Sequence, residues 1–320
     1  MSRKIVCVGR TLFSALIISL LSISSFSQIQ LREALDFDGD GRADYSIFRP
    51  SDNTWYVKNT SGSVIAQQWG LANDDQVTPG DYDGDGKGDI AVFRDGTGTW
   101  YVINSFDSTV RSVQWGTAGD EPVARDYDGD GKTDYAVARR SGGNMYWWIL
   151  KSTGDAVWYQ WGLDSDYVCP GEYDGDGRFD VCVVRPGETA TSQAYFYVLG
   201  SQNGFFGAPW GVSSDLIVPG DYDGDGRTDF AIVREGATPT DDLVWWILRS
   251  DGAGYFTASF GLPAVDSTAQ ADYDGDGKTE IGLWRQTDGT WWTLNPSTGA
   301  VTSGQWGIEG DLPVPTYDTH

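Results

Sequence analysis

The sequence predicts an all-β fold, a β-propeller of six four-stranded blades, and three observations carry that expectation. An acidic string of the form D-x-D-G-D-G-x-x-D occurs six times, starting at Asp36, Asp81, Asp126, Glu172, Asp221 and Asp272. The starts are 45 to 51 residues apart, a period typical of tandem propeller blades. Between strings the text stays in register as four short runs rich in β-branched and aromatic residues, divided by Gly, Asp, Ser and Pro. Those are strand and turn signals. Beyond the first 27 residues no stretch has the apolar period of a helix.

Residues 1–27 are of another kind. "MSRKIVCVGR" is basic, "TLFSALIISLLSI" is apolar but too short to cross a bilayer, and "SFS" ends in small residues. This reads as a secretory signal peptide cleaved near Ser27. Residues 28–320 then form one propeller domain, secreted, extracellular or periplasmic.

The elements of each unit follow in a fixed order. After the acidic string comes an apolar run closed by arginine: "YSIFR", "IAVFR", "YAVAR", "VCVVR", "FAIVR" and "IGLWR". Next is an aromatic run such as "WYV" or "WWIL", then a turn and "QWG", varied to "PWG" and "SFG" in units four and five. A short run such as "DEPVARDY" leads into the following string. Paired aromatics such as Trp55 and Tyr56, or Trp245 and Trp246, are consecutive and must point to opposite faces of a strand. A blade packed on both faces needs both, so these rings are expected in the core between blades. The arginine closing the second strand is expected to pair with a repeated aspartate such as Asp75, Asp120 or Asp215.

The segment "DLPVPTYD" at residues 311–318 is a seventh first strand without its loop. It is expected to close the ring against blade one, joining or competing with "IQLREALDF"; seven blades are the alternative. Cys169 and Cys182 flank the fourth acidic string. They are either a cross-strand disulfide or two buried apolar side chains. A zinc site is not expected, because the sole histidine is His320.

In each string, carboxylates stand at positions 1, 3, 5 and 9. They are Asp36, Asp38, Asp40 and Asp44; Asp81, Asp83, Asp85 and Asp89; Asp126, Asp128, Asp130 and Asp134. The later three are Glu172, Asp174, Asp176 and Asp180; Asp221, Asp223, Asp225 and Asp229; and Asp272, Asp274, Asp276 and Glu280. Alternate acidic residues in a tight turn converge on one point, and glycines at positions 4 and 6 permit the turn. Like charges so placed repel unless a cation lies between them. Hard oxygen ligands in this number suit Ca²⁺ better than Mg²⁺, with a position-7 carbonyl completing the shell. About six Ca²⁺ are expected. Position 7 is always Lys or Arg, with its charge expected to point outward. The longer arms of Glu172 and Glu280 are expected to weaken their sites.

These loops resemble the FG-GAP/VCBS repeat family, the calcium-loop propellers that include the head of integrin α chains. The resemblance spans about residues 31–318. It implies calcium in the hairpin loops between the first and second strands of each blade, and roles in adhesion, carbohydrate binding and scaffolding. The literal FG-GAP words are poorly represented, so the resemblance speaks for fold and metal more than for any ligand.

With 46 acidic against 22 basic residues and a net charge of -24, the chain is a poor partner for nucleic acid or an anionic membrane surface. It is not expected to insert into membranes. The function expected is a binding or adhesion module for an extracellular glycan or protein. The alternatives are a surface spacer without a ligand and, behind it, a Ca²⁺-dependent polysaccharide lyase or hydrolase. From the arginine of strand two to the aromatic of strand three is six residues in unit one (Arg49 to Trp55) but eleven in units four and five (Arg185 to Phe196, Arg234 to Trp245). The enlarged loops "PGETATSQA" and "EGATPTDDL" are therefore the expected ligand site.

Overall fold

The computed structural model describes residues 34–315; residues 1–27, read above as a signal peptide, and His320 lie outside them. Six four-stranded antiparallel sheets form a ring, each in simple up-and-down order. Blade two is typical: a short inner strand Asp75–Val77, then Ile90–Arg94, Thr99–Ile103 and the outer strand Val110–Gln114. The acidic string Asp81–Asp89 connects the first strand to the second. Antiparallel order therefore puts all acidic loops, with the turns between strands three and four, at one end of the ring. The connections between strands two and three lie at the other end.

Blade one is closed by both ends of the chain. Leu312 and Pro313 pair with Phe48 and Ile47 as its inner strand. Leu35 stands immediately before the acidic loop, its carbonyl accepting the Asp44 N–H at 2.9 Å. The two terminal segments thus join, and six blades stand rather than seven.

The apolar core lies between blades. One cluster unites Phe48, Trp55 and Val57 of blade one with Val77, Ile90 and Val92 of blade two. Another joins Cys182, Phe196 and Val198 of blade four to Ile217 and Ile232 of blade five. The first aromatic of each strand-three pair (Trp55, Trp100, Trp147, Phe196, Trp245, Trp291) is fully buried. Truncating a buried ring of this size costs about 3–5 kcal/mol. The "QWG" tryptophan stitches blades together: Trp69, Trp115, Trp161 and Trp210 donate their indole N–H to a strand-three carbonyl of the next blade. Trp306 does so to Tyr56, 3.0 Å across the closure. Phe260, in "SFG", has no N–H to give. Cys169 and Cys182 are free, buried thiols, and the Cys169 Sγ lies 3.1 Å from the Tyr173 hydroxyl.

Each strand-two arginine meets its aspartate in a two-pronged ion pair. Arg94 binds Asp75 at 2.7 and 2.9 Å, and Arg139, Arg185 and Arg234 bind Asp120, Asp166 and Asp215 alike. Arg285–Asp266 and the closing pair Arg49–Asp311 complete the set. The guanidinium also covers the second strand-three aromatic, at 4.5 Å for Arg94 over Tyr101 and 4.7 Å for Arg185 over Tyr197. The expected pairing holds in all six blades.

Candidate metal centres

Each acidic loop is built from its first residue. The position-1 carboxylate turns back and accepts the N–H groups of the glycines at positions 4 and 6. In blade two these are Gly84 to Asp81 at 2.6 Å and Gly86 to Asp81 at 2.8 Å. Asp36, Asp126, Asp221 and Asp272 make the same two bonds. Both glycines need positive φ, 82° at Gly84 and 83° at Gly86, which L side chains rarely adopt. Glu172 reaches Gly175 at 2.5 Å and Asp176 at 3.1 Å with its longer arm.

The position-9 carboxylate ties the loop to its blade. One oxygen accepts the position-2 N–H, as in Tyr82 to Asp89 at 2.9 Å. The other accepts an N–H from the turn between strands three and four: Ser105 to Asp89 at 2.6 Å, and Ser152, Ser201 and Ser250 to Asp134, Asp180 and Asp229 at 2.7 Å each. Thr60 does the same for Asp44 at 3.1 Å. The hydroxyls of these same turn residues bind the position-5 carboxylates, as in Ser201 to Asp176 at 2.7 Å and Ser250 to Asp225 at 2.8 Å. Blade six differs. Pro296 replaces the serine, and Glu280 reaches the Asn295 amide instead, at 3.2 Å.

Carboxylate oxygens converge in each of five loops to within 4.8 Å of one another. In blades one, two and five they come from positions 1, 3 and 5 (Asp36, Asp38 and Asp40; Asp81, Asp83 and Asp85; Asp221, Asp223 and Asp225). In blades three and four they come from positions 1, 3 and 9 (Asp126, Asp128 and Asp134; Glu172, Asp174 and Asp180). In blade six, Asp274, Asp276 and Glu280 share the Asn295 amide. Positions 1 and 9 are buried in every blade. Burial, reinforced by neighbouring carboxylates, pushes the position-9 groups up: Asp44, Asp134, Asp180 and Asp229 to about 7, Asp89 to about 6 and Glu280 to about 8. Glu172 at position 1 rises to about 7 for the same reason. The buried Oδ1 atoms of Asp38, Asp128 and Asp174 have no hydrogen-bond partner. Buried anionic oxygen without a donor fits a hard cation bound between these side chains.

The cations at position 7 do not simply point outward. Their stems lie across the position-4 glycine of the preceding blade; a Cβ on Gly84 would sit 2.7 Å from the Lys132 Cε. Lys132 also donates its Nζ to the Asp83 carbonyl at 2.8 Å. Position 8 grips the same neighbour, its N–H donating to the position-1 carbonyl one blade back. The pairs are Gly88 to Asp36, Thr133 to Asp81, Phe179 to Asp126, Thr228 to Glu172, Thr279 to Asp221 and, closing the circle, Ala43 to Asp272, all 2.5–2.8 Å.

Sequence reasoning missed three parts of this apparatus: the strand-three-to-four turn residues, the position-8 bond and the position-2 aromatic. The last had a visible signal, since a ring follows position 1 in all six strings. Tyr82, Tyr127, Tyr173, Tyr222 and Tyr273 donate their hydroxyls to a carbonyl four residues back, just past the end of the first strand.

The sequence model of FG-GAP-like repeats matches residues 36–92, 126–183 and 221–283. Each match takes in two acidic loops, and together they span more than half of the chain. The chain belongs to the FG-GAP-like repeat family. No curated protein matches it. Among solved structures it is similar to a streptogramin B lyase, at 12% identity and a TM-score of 0.50, over 83% of this chain and 84% of that one. A functionally unknown protein from Desulfotomaculum acetoxidans matches at 10% identity, TM-score 0.49, over 86% and 83% of the two chains. A catalytically inactive virginiamycin B lyase from Staphylococcus aureus, with quinupristin, matches at 11% identity, TM-score 0.46, over 86% and 88%. At such identities the likeness is one of fold alone.

Proposed function

We propose that this FG-GAP-like propeller is an exported, calcium-stabilised binding module rather than an enzyme. Each acidic loop holds one Ca²⁺ through the carboxylates at positions 1, 3, 5 and 9, from Asp36, Asp38, Asp40 and Asp44 in blade one to Asp272, Asp274, Asp276 and Glu280 in blade six. The ion supplies positive charge between four carboxylates that the single position-7 cation of each loop cannot balance. Extracellular sites of this kind bind at about 10⁻⁴–10⁻³ M, so in a calcium-rich medium they remain filled and act structurally.

The observation that carries the binding role is where six-fold repetition breaks. Loops 186–192 and 235–243, on adjacent blades four and five, are enlarged and largely exposed. They rise at the end of the ring away from the acidic loops. Beside them the inner strands present Tyr167 and Leu216, each 47% exposed, paired with Val184 and Val233 at the roots of the two loops. Blades two, three and six carry Gln76, Glu121 and Ser267 at that register, and blade one a half-buried Leu312. Apolar side chains under polar loops suit an extracellular glycan or protein ligand.

A glycan-array screen of the purified chain in millimolar Ca²⁺, with a chelated control, tests the reading. Binding to a defined sugar set that is lost when both loops are trimmed, with the thermal melt in calcium unchanged, is the expected result. Binding retained after trimming would move the site elsewhere. A blank array on folded protein would turn the search to a protein partner or to a spacer role.

A further inference from the structure

The acidic loops are joined to one another as well as to their blades. Position 8 lies between the two buried carboxylates of its own loop, at positions 1 and 9 of the string, and its N–H is held by the loop behind. Its own position-1 carbonyl is in turn held by the loop ahead. A loop that loosens around its carboxylates must therefore disturb a hydrogen bond to each neighbour.

The side chains at this joint are also matched in size. Gly80 faces Thr133, Gly171 faces Thr228 and Gly220 faces Thr279, with a Cβ on each glycine falling within 3 Å of the facing residue. The order inverts at blade one, where Leu35 precedes the string and Gly88 stands at position 8 of the next loop. In blade three Arg125 lies over the Phe179 ring at 5.7 Å. The circuit has no free end, because Ala43 closes onto Asp272 at 2.8 Å.

We propose that the six loops load with cation as one cooperative ring and not as six independent sites. This rests on the reading that the loops hold Ca²⁺. A filled loop fixes its position-1 carbonyl and its position-8 N–H where both neighbours need them. An empty loop, with three or four carboxylates repelling one another, releases both.

Native mass spectrometry of the purified chain, titrated with CaCl₂ from micromolar to millimolar, reads the coupling directly. The expected result is a population divided between ion-free and six-ion species, with one- to five-ion species depleted. A statistical ladder with the three-ion species most abundant at the midpoint would overturn the coupling and leave calcium binding intact. No ion bound at millimolar calcium would overturn both. As a second arm, Asp128→Asn with Asp130→Asn removes one site through near-isosteric changes. The remaining sites are then expected to bind about tenfold more weakly, as loss of neighbour hydrogen bonds implies. Unchanged affinity there would count against the ring.

Discussion

Every hairpin of strands one and two carries buried carboxylates at both ends, and the two ends are neutralised differently. At one end Asp75, Asp120, Asp166, Asp215, Asp266 and Asp311, with side chains no more than 1% exposed, each face a guanidinium of their own blade. At the other end carboxylates face one another, and the position-7 stems lie over the preceding loop; in blade five that cation also pairs within its own loop, Arg227 with Asp225 at 2.6 Å. The chain evidently has a side-chain solution for a buried aspartate and applies it six times at one end only. What the acidic end lacks is enough positive charge for four carboxylates in each loop. An internal ion pair does not depend on the calcium concentration, whereas a bound external ion ties stability to it. The two ends should therefore answer to different perturbations.

The largest effect is expected from removing the ion. Six sites held at a few times their dissociation constant contribute on the order of 1 kcal/mol each. For a domain of this size that lowers the melting temperature by about 10 °C in chelator relative to millimolar calcium. An equal melt in both at low ionic strength would dissolve the contrast between the two ends. Next comes the self-sufficient end. Arg94→Ala leaves Asp75 buried without its partner and is expected to cost about 3 kcal/mol. That loss should be the same in calcium and in chelator; a calcium-dependent loss would mean that the ends are not separate.

Acidity sharpens the comparison further. The position-9 carboxylates titrate at about 6 to 8 in the folded chain, against about 4 in an unfolded one. Between those values the folded state holds protons that the unfolded state has released. Metal-free stability therefore falls as pH rises through that window and is greatest below it. In chelator the melting temperature should climb by several degrees from pH 8 to pH 5. In calcium the trend should weaken or reverse, because protons compete with the ion. Parallel melts across pH with and without calcium check this, and a chelated protein indifferent to pH would place the raised groups elsewhere.

Much of this was legible from the chain because the repeat makes each unit a control for the others. Six strings in register marked the blades, and the arginine closing each second strand pointed to its aspartate. The ring closure was visible as an orphan first strand at residues 311–318. What escaped was whatever depends on neighbouring blades or distant turns. The path of Lys132 over Gly84 is fixed by how closely two blades approach, which no single unit encodes. Ser105 lies 16 residues from Asp89, and a serine in a turn has many ordinary reasons to be there. Cys169 and Cys182 were open to two readings because both begin with the same cross-strand placement, and only the side-chain packing separates them.

The smallest and most specific effect concerns blade six, where two departures from the repeat explain each other. Elsewhere a Ser or Thr in the strand-three-to-four turn supplies an N–H to the position-9 aspartate. Pro296 has no N–H to supply, and position 9 there is Glu280, one methylene longer. That extra reach brings Glu280 Oε1 to the Asn295 amide at 3.2 Å, while Oε2 keeps the usual bond to the Tyr273 N–H at 2.7 Å. The long arm thus keeps position 9 tied to its turn where proline offers no N–H. Glu280→Asp alone should lose the Asn295 contact and find no backbone donor in its place, costing about 1 kcal/mol. Pro296→Ser alone adds a donor where the longer side chain already fills the space. Together the two changes rebuild the arrangement of the other five loops. The double variant should then be more stable than the sum of the single changes by about 1 kcal/mol, read from denaturant melts in calcium. Strict additivity would make Glu280 and Pro296 independent accidents of the last repeat.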